Sequence, residues 1–295
     1  MFKVGEQQHY CCKIMLNIGF HVSSSGGFCA MAETALKVGA TTFQYFSRNP
    51  RGGSVKSLNM KDIEDFLKIK KDNFSQIIAH SPYILNLCSK TESIRNYSEN
   101  MLAEDLERTD LIPGVLYNLH PGSHTGQGKD IGIEQISNAL NEILKPEQKT
   151  VVLLETMAGK GSEIGGNFGE LRKIIDNIEL KNKIGVCFDT CHVFDSGYDI
   201  VNNLDGVLEE FDNIIGIDML KAVHLNDSKN LCASKKDRHE KIGKGNMGME
   251  TFSKIVNNTY FKNLPFILET PQESIEGWKE EIAVLKKISE NEIKN

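Results

Sequence analysis

Eight short apolar runs rich in β-branched residues alternate along this chain with eight segments of helical spacing, and few architectures accommodate that rhythm. The runs fall at 15–22, 42–46, 76–80, 115–120, 151–155, 184–189, 221–226 and 265–269. The helical segments fall between and after them, at 28–38, 61–73, 91–109, 131–144, 168–178, 200–211, 249–257 and 276–288. Near-continuous apolar strands are buried on both faces, as in a parallel sheet covered by helices, and eight strand–helix units are what closes such a sheet into a barrel. The expected fold is therefore α/β, a single-domain (β/α)8 barrel. A length of 295 residues would suit one barrel or two smaller domains. No Pro/Gly/Ser-rich linker or low-complexity tract divides the chain, which favours one.

The strand ends carry the chemistry. The third run ends at His80, the fourth at His120, the fifth at Glu155, the sixth at Asp189, the seventh carries His224 and the eighth ends at Glu269. In a barrel these six residues converge on the C-terminal rim of the strands, where active sites of this fold sit. A lone His or Glu under a loop is commonly a hydrogen-bonded core residue. Six in succession resist that reading, because burying several carboxylates and imidazoles together is costly unless cations compensate them. The stretch Asp189-Thr190-Cys191-His192 adds an imidazole three residues past a strand tip, which is a loop with an N-capping Asp in one reading and a metal site in the other. After the seventh run comes Asp237-Arg238-His239. In extended backbone, residues i and i+2 face one side, so Asp237 and His239 can share an ion while Arg238 points away. These nine donors suffice for two or three ions if one carboxylate bridges, and mixed imidazole and carboxylate suits Zn, Mn or Fe.

Composition sets limits. With 40% hydrophobic and 25% charged residues, the chain reads as an ordinary soluble globular protein with ample core. No apolar run is long enough to span a membrane, and the first ten residues lack the apolar stretch of a signal peptide. Seven scattered cysteines predict reduced thiols and a cytoplasmic setting, with Cys187 and Cys191 read as packing rather than as ligands. A net charge of −6 argues against a nucleic-acid partner unless bound metal changes the balance.

Three stretches carry a resemblance: Leu154-Glu155-Thr156-Met157-Ala158-Gly159-Lys160-Gly161, then Cys187-Phe188-Asp189-Thr190-Cys191-His192-Val193-Phe194-Asp195-Ser196-Gly197-Tyr198-Asp199, then His224-Leu225-Asn226-Asp227-Ser228-Lys229 followed by Asp237-Arg238-His239-Glu240. Over 15–288 the chain resembles endonuclease IV, the metal-dependent apurinic/apyrimidinic endonuclease family, also called AP endonuclease family 2. The resemblance implies a TIM barrel with three zinc ions, Mn2+ being an option at one or more sites. By that pattern His80, His120 and Glu155 hold the first ion. Glu155 bridges to a second, held also by Asp189, His224 and Glu269, and His192, Asp237 and His239 hold the third. Glu155, Glu269 and Asp189 are then the catalytic carboxylates. The implied activity is DNA repair of the base excision kind: hydrolysis of the phosphodiester 5′ to an abasic site in duplex DNA, leaving a 3′-hydroxyl, and removal of 3′-blocking groups, with a bridging hydroxide as nucleophile. The partner is double-stranded DNA with abasic sites or blocked 3′ ends, and the protein is expected to be a monomer.

Three divalent ions would bring the formal charge from −6 to about zero, easing the objection to DNA. Few basic side chains are expected to assist elsewhere. Arg48 and Arg51, in the loop after the second run, are placed to contact phosphates or enter a groove. Tyr83 and Ile84, just past His80, resemble the family's wedge that fills the stack where the abasic nucleotide is flipped out. Some features depart from the pattern. Residues 1–13 precede the usual start and are expected to form a disordered extension to a domain at 14–295. Thr156 and Met157 stand where Asn and Thr are common, and Ile84-Leu85 reverses a frequent order while preserving volume. Two alternatives remain: a metal-dependent sugar isomerase on the same barrel, against which the His192, Asp237 and His239 set speaks, and a non-catalytic damage-binding protein.

Overall fold

The computed structural model describes residues 16–292, so the extension expected at 1–13 lies outside the described residues. Eight strands form one sheet: β1 Ile18–Phe20, β2 Gln44–Phe46, β3 Ile77–His80, β4 Val115–Leu119, β5 Val151–Glu155, β6 Ile184–Asp189, β7 Leu220–His224 and β8 Phe266–Leu268. Their order is β1-β8-β7-β6-β5-β4-β3-β2, with every pair parallel. A parallel bridge from His21 to Gln44 joins the two ends, and the Val22 amide donates to the Gln44 carbonyl at 2.7 Å, so the sheet closes into a barrel. Closure depends on Gly19. A Cβ there would lie 1.8 Å from the Thr42 carbonyl oxygen, so any side chain would force β1 away from the start of β2.

Around the barrel lie α1 Phe28–Lys37, α2 Met60–Asn73, α3 Glu92–Thr109, α4 Lys129–Ile143, α5 Phe168–Asn177, α6 Thr190–Ser196, α7 Leu204–Ile214, α8 Gly248–Asn257 and α9 Ile275–Glu292. Each longer helix presents an apolar stripe to the sheet: α4 buries Ile133, Ile136, Ala139 and Leu140, the i, i+3 and i+7 spacing of one helical face. Fully burying such a side chain contributes about 1.5–3 kcal/mol, which is what holds the ring of helices on the strands. The eight-unit pattern stands, with two additions. The chain turns directly off β6 into α6, and the helix expected at 200–211 begins only at Leu204, because Asp199 closes a turn by accepting the Asn202 and Asn203 amides at 3.1 and 2.9 Å. A two-residue antiparallel ribbon, Asp227–Ser228 against His239–Glu240, then projects beyond β7.

Inside the barrel, Ile78, Leu116, Leu153, Cys187, Ala222 and Ile267 pack as a separate apolar layer. Strand residues two apart face the same way. The residues two further on are therefore His80, Asn118, Glu155, Asp189, His224 and Glu269, one layer higher toward the C-terminal rim. The same step from Gly19 and Thr42 reaches His21 and Gln44. A floor of small and aliphatic side chains thus carries a ring of eight polar ones, one from each strand.

Candidate metal centre

Glu155 stands at the centre of this ring, 1% exposed. Its Oε2 lies 3.4 Å from His80 Nε2 and 3.3 Å from His120 Nε2, and its Oε1 lies 3.2 Å from both His192 Nδ1 and His224 Nδ1. Asn118 donates to Oε2 at 2.5 Å. Burial pushes the Glu155 carboxyl up, but the imidazoles of His224, His120 and His192 outweigh it and hold the group well below the ordinary carboxylate range. His224 Nδ1 faces two further carboxylates, Glu269 Oε2 at 3.3 Å and Asp189 Oδ2 at 3.7 Å. Burial likewise raises Glu269, and His224 and His21 more than reverse it.

Three sets built of imidazole and carboxylate alone emerge: His80 with His120 and Glu155; Glu155 with Asp189, His224 and Glu269; and His192 with Asp237 and His239; a further grouping, Asp189 with Cys191 and His239, adds only a thiol to residues already in those sets. In the third, His192 Nε2 is 3.1 Å from Asp237 Oδ1, and His239 Nε2 is 3.5 Å from the same oxygen. Burial raises Asp237, but its hydrogen bond and charge contact with His192 win, leaving its carboxyl at about 2. The nine residues read from the sequence are therefore brought together on one rim.

Two observations bear on whether a metal fits. In four of the imidazoles one ring nitrogen is held by an oxygen acceptor, as is usual for metal-binding imidazoles. His80 Nδ1 donates to the Ser81 carbonyl at 2.7 Å, His192 Nδ1 to the Thr156 carbonyl at 2.9 Å, His224 Nε2 to Gln44 Oε1 at 2.7 Å and His239 Nδ1 to the Glu269 carbonyl at 3.4 Å. With its Nε2 proton so committed, a neutral His224 would aim its Nδ1 lone pair at three carboxylates. That contact is repulsive unless a cation, a proton or a metal ion, lies between them. The buried His239 Nε2, moreover, has no hydrogen-bond partner. Both fit a site built for cations.

Local structure explains the Asp189-x-x-His192 spacing. Asp189 caps α6, its Oδ1 accepting the His192 amide at 2.8 Å, while Oδ2 accepts from Asn226 Nδ2 at 2.8 Å and faces the site. The two readings of this stretch are thus one arrangement: an N-cap whose second oxygen is a donor. Thr156 braces it from β5, its hydroxyl accepting the Asp189 amide at 2.9 Å. The thiols play another part. Burial pushes the Cys187 thiol up to about 11 and the Cys191 thiol higher still; Cys187 packs in the apolar floor of the barrel, and Cys191 is buried beside Asp189 and His239.

Elsewhere the structure departs from expectation. Asp237 is not extended: its φ is 55°, in the left-handed region, and the contact with His239 arises from that turn. Of the two arginines expected to contact DNA, only Arg51 is exposed. Arg48 is 8% exposed, and its Nε and Nη2 bind Asp105 Oδ1 at 2.9 and 2.6 Å while Nη1 binds the Gly53 carbonyl at 3.0 Å. Asp105 is buried on α3 and attracts the nearest cation inward, so Arg48 braces the loop and does not project from it. Arg51 stays exposed at the tip of a turn in which Asn49 Oδ1 accepts the Arg51 and Gly52 amides. Tyr83 is 61% exposed and Ile84 36%, and Tyr83 stands edge-on to Phe46 at 5.2 Å between ring centres.

Sequence reading passed over several residues of the ring. Gln44 donates to Glu269 Oε1 at 2.6 Å and His21 Nδ1 lies 3.6 Å from the same oxygen, while Asn226 Oδ1 accepts the Glu269 amide. Carrying the two-residue pleat back to the first two runs would have found His21 and Gln44. Also missed was a basic cluster beside the third donor set: Lys235, Lys236, Arg238, Lys241 and Lys244 are all exposed.

A family model described as a xylose isomerase-like TIM barrel matches residues 32–288. A protein of Clostridium beijerinckii named "Probable endonuclease 4" is 56% identical over 278 residues, covering 94% of this chain and 100% of its own length. One of the same name from Clostridium botulinum is 56% identical over 92% of this chain and 98% of its own. Among solved structures, endonuclease IV from Thermus thermophilus superposes with a TM-score of 0.82 at 30% identity, over 93% of this chain and 99% of that one.

Proposed function

This chain belongs to the endonuclease IV family, and on that premise we propose that it is a zinc-dependent DNA repair endonuclease that hydrolyses the phosphodiester 5′ to abasic sites in duplex DNA. The reading extends to leaving a 3′-hydroxyl, to removing 3′-blocking groups, and to work as a cytoplasmic monomer. The observation that carries it is the meeting of nine imidazole and carboxylate donors on one rim, with buried Glu155 shared between two of the three donor sets.

In this reading His80, His120 and Glu155 hold one zinc ion; Glu155, Asp189, His224 and Glu269 a second; and His192, Asp237 and His239 a third, with Mn2+ admissible at one or more of them. Divalent ions held there supply Lewis acidity to a phosphodiester and make hydroxide available near neutral pH. The rest is the work of side chains. Glu155, Glu269 and Asp189 fix the separation of the donor sets, and Gln44 and Asn226 donate to the two carboxylate oxygens of Glu269, which orients it. Tyr83 and Ile84, exposed beside His80 and His120, fill the gap left in the stack by an extruded abasic nucleotide. Arg51 and the exposed lysines at 235, 236, 241 and 244 meet backbone phosphates.

The test is a labelled duplex carrying one tetrahydrofuran abasic analogue, with and without prior treatment by a strong zinc chelator. The analogue cannot undergo β-elimination, so incision on its 5′ side must be hydrolytic. Chelator-sensitive 5′ incision is expected. No incision by the metal-loaded protein would overturn the reading and return the barrel to the sugar isomerases, whose substrates would then be assayed.

A further inference from the structure

We infer that Asp195 is the positioning residue that assembles the His192, Asp237 and His239 donor set, an inference that rests on the metal reading above. Asp195 lies on α6 one turn beyond His192 and is fully buried. Its Oδ1 accepts the Ser228 hydroxyl at 2.6 Å, and its Oδ2 accepts the Asp237 amide at 2.9 Å and Asn230 Nδ2 at 3.2 Å. Two main-chain bonds run alongside: the Lys235 amide donates to the Asp195 carbonyl at 2.8 Å, and the Ala233 amide to the Phe194 carbonyl at 3.1 Å. Beside the short ribbon, these contacts tie the arm at 229–238 to the barrel.

The arm needs such a tie. Ala233, Lys235 and Asp237 have φ of 64°, 55° and 55°, a left-handed conformation that non-glycine residues adopt only when their surroundings hold them there. A carboxylate strengthens each hydrogen bond it accepts, and no basic side chain of the described residues pairs with Asp195, so its charge is balanced by these donors alone. The joint has a direct consequence for the site. His192 rides on α6 and Asp237 on the arm; Asp195 is bonded to the Asp237 backbone from the same helix. It thereby sets the 3.1 Å contact between His192 Nε2 and Asp237 Oδ1. The other two donor sets stand at the C-terminal ends of barrel strands, and none of their residues is among the hydrogen-bond partners of the Asp195 side chain.

The test compares the metal-loaded full chain with Asp195→Ala and Asp195→Asn, measuring zinc equivalents retained and their release to a chelator. Wild type is expected to hold three equivalents. Asp195→Ala should release one of them at least ten-fold faster and leave the other two unchanged. Asp195→Asn should recover most of the retention, because its carbonyl can accept the Asp237 amide while its NH2 donates to the Ser228 hydroxyl. In the metal-free proteins, amide exchange across 229–238 should rise ten-fold or more in Asp195→Ala with the barrel strands unaffected. If Asp195→Ala does not fold, Ser228→Ala removes a single donor, and its third equivalent should leave several-fold faster than wild type. Wild-type release and exchange in these variants would overturn the role of Asp195 alone. A wild-type chain that binds no third equivalent would overturn it together with the three-site reading.

Discussion

At the scale of single residues, Glu155 shows how position and chemistry are joined. It points into the barrel because the pleat puts it two residues above Leu153, and it stays ionised because four imidazoles surround it. Removing a group that only supports a metal ligand typically costs about 10–100-fold in affinity or activity. Asn118→Ala, which deletes the 2.5 Å bond to Glu155, should fall in that range. Glu155→Gln should cost more, with loss of bound metal and an unchanged circular dichroism spectrum; wild-type turnover in that variant would remove Glu155 from the metal assignment. The two arginines of one loop should behave oppositely. Arg48→Ala leaves the buried Asp105 without its cation and should destabilise the fold by about 3–5 kcal/mol in denaturant unfolding. Arg51→Ala should change stability by less than about 0.5 kcal/mol and lower the salt slope of DNA binding by about one. The difference was not legible in sequence, because both arginines sit in the same loop and only the tertiary position of Asp105 decides which one turns inward. Six of the nine donors were legible for the opposite reason: an ionisable residue closing an apolar run conflicts locally with its surroundings. Gln44 and Asn118 create no such conflict, being neutral, and Asp195 lies in the seven residues of α6, which no helical spacing announced.

At the scale of elements, the eight-unit alternation was readable since each strand is buried on both faces, whereas the short α6 was hidden by its being seven residues long and almost wholly buried. Helices here are also held at their ends by residues from other elements. The α1 N-terminus has only Gly27 at its cap position, without a side chain to accept its first amides. Asp62, in the first turn of α2, supplies the acceptor, its carboxylate taking the Phe28 and Cys29 amides at 2.6 and 3.1 Å. Burial pushes the Asp62 carboxyl up, but the Cys29 thiol and these two amides outweigh it, so it lies below its ordinary value. A group depressed in the folded state adds stability that is complete above its unfolded pKa, about 3.9, and is lost as pH falls through the folded value. Asp62→Ala should therefore cost about 1 kcal/mol at pH 7, and the gap from wild type should narrow below about pH 4. Chemical unfolding at pH 7 and pH 3 measures both; a gap that is the same at each pH would mean that the charge of Asp62 is not what holds α1.

At the scale of the whole molecule, the chain carries a formal charge of −6 and gathers four carboxylates and five imidazoles on one rim, an arrangement that cations bound there would stabilise. Three divalent ions would bring the formal charge to about zero, and the exposed lysines beside the third donor set would then face DNA without the opposing field of the metal-free site. A ligand that binds only the folded state stabilises it by about 2.7 kcal/mol per site at a hundred-fold excess over Kd. For a domain of this size 1 kcal/mol is worth roughly 2–4 °C, so emptying one such site should lower Tm by about 5–10 °C. Calorimetric scans before and after chelation should show this loss, and stoichiometric zinc should restore it. The loss should be deeper in wild type than in Asp195→Ala, whose third site holds its ion less firmly from the outset. A Tm that ignores the chelator would mean that the barrel balances these buried carboxylates with protons alone, and that cations at the rim are not part of what the fold is built to hold.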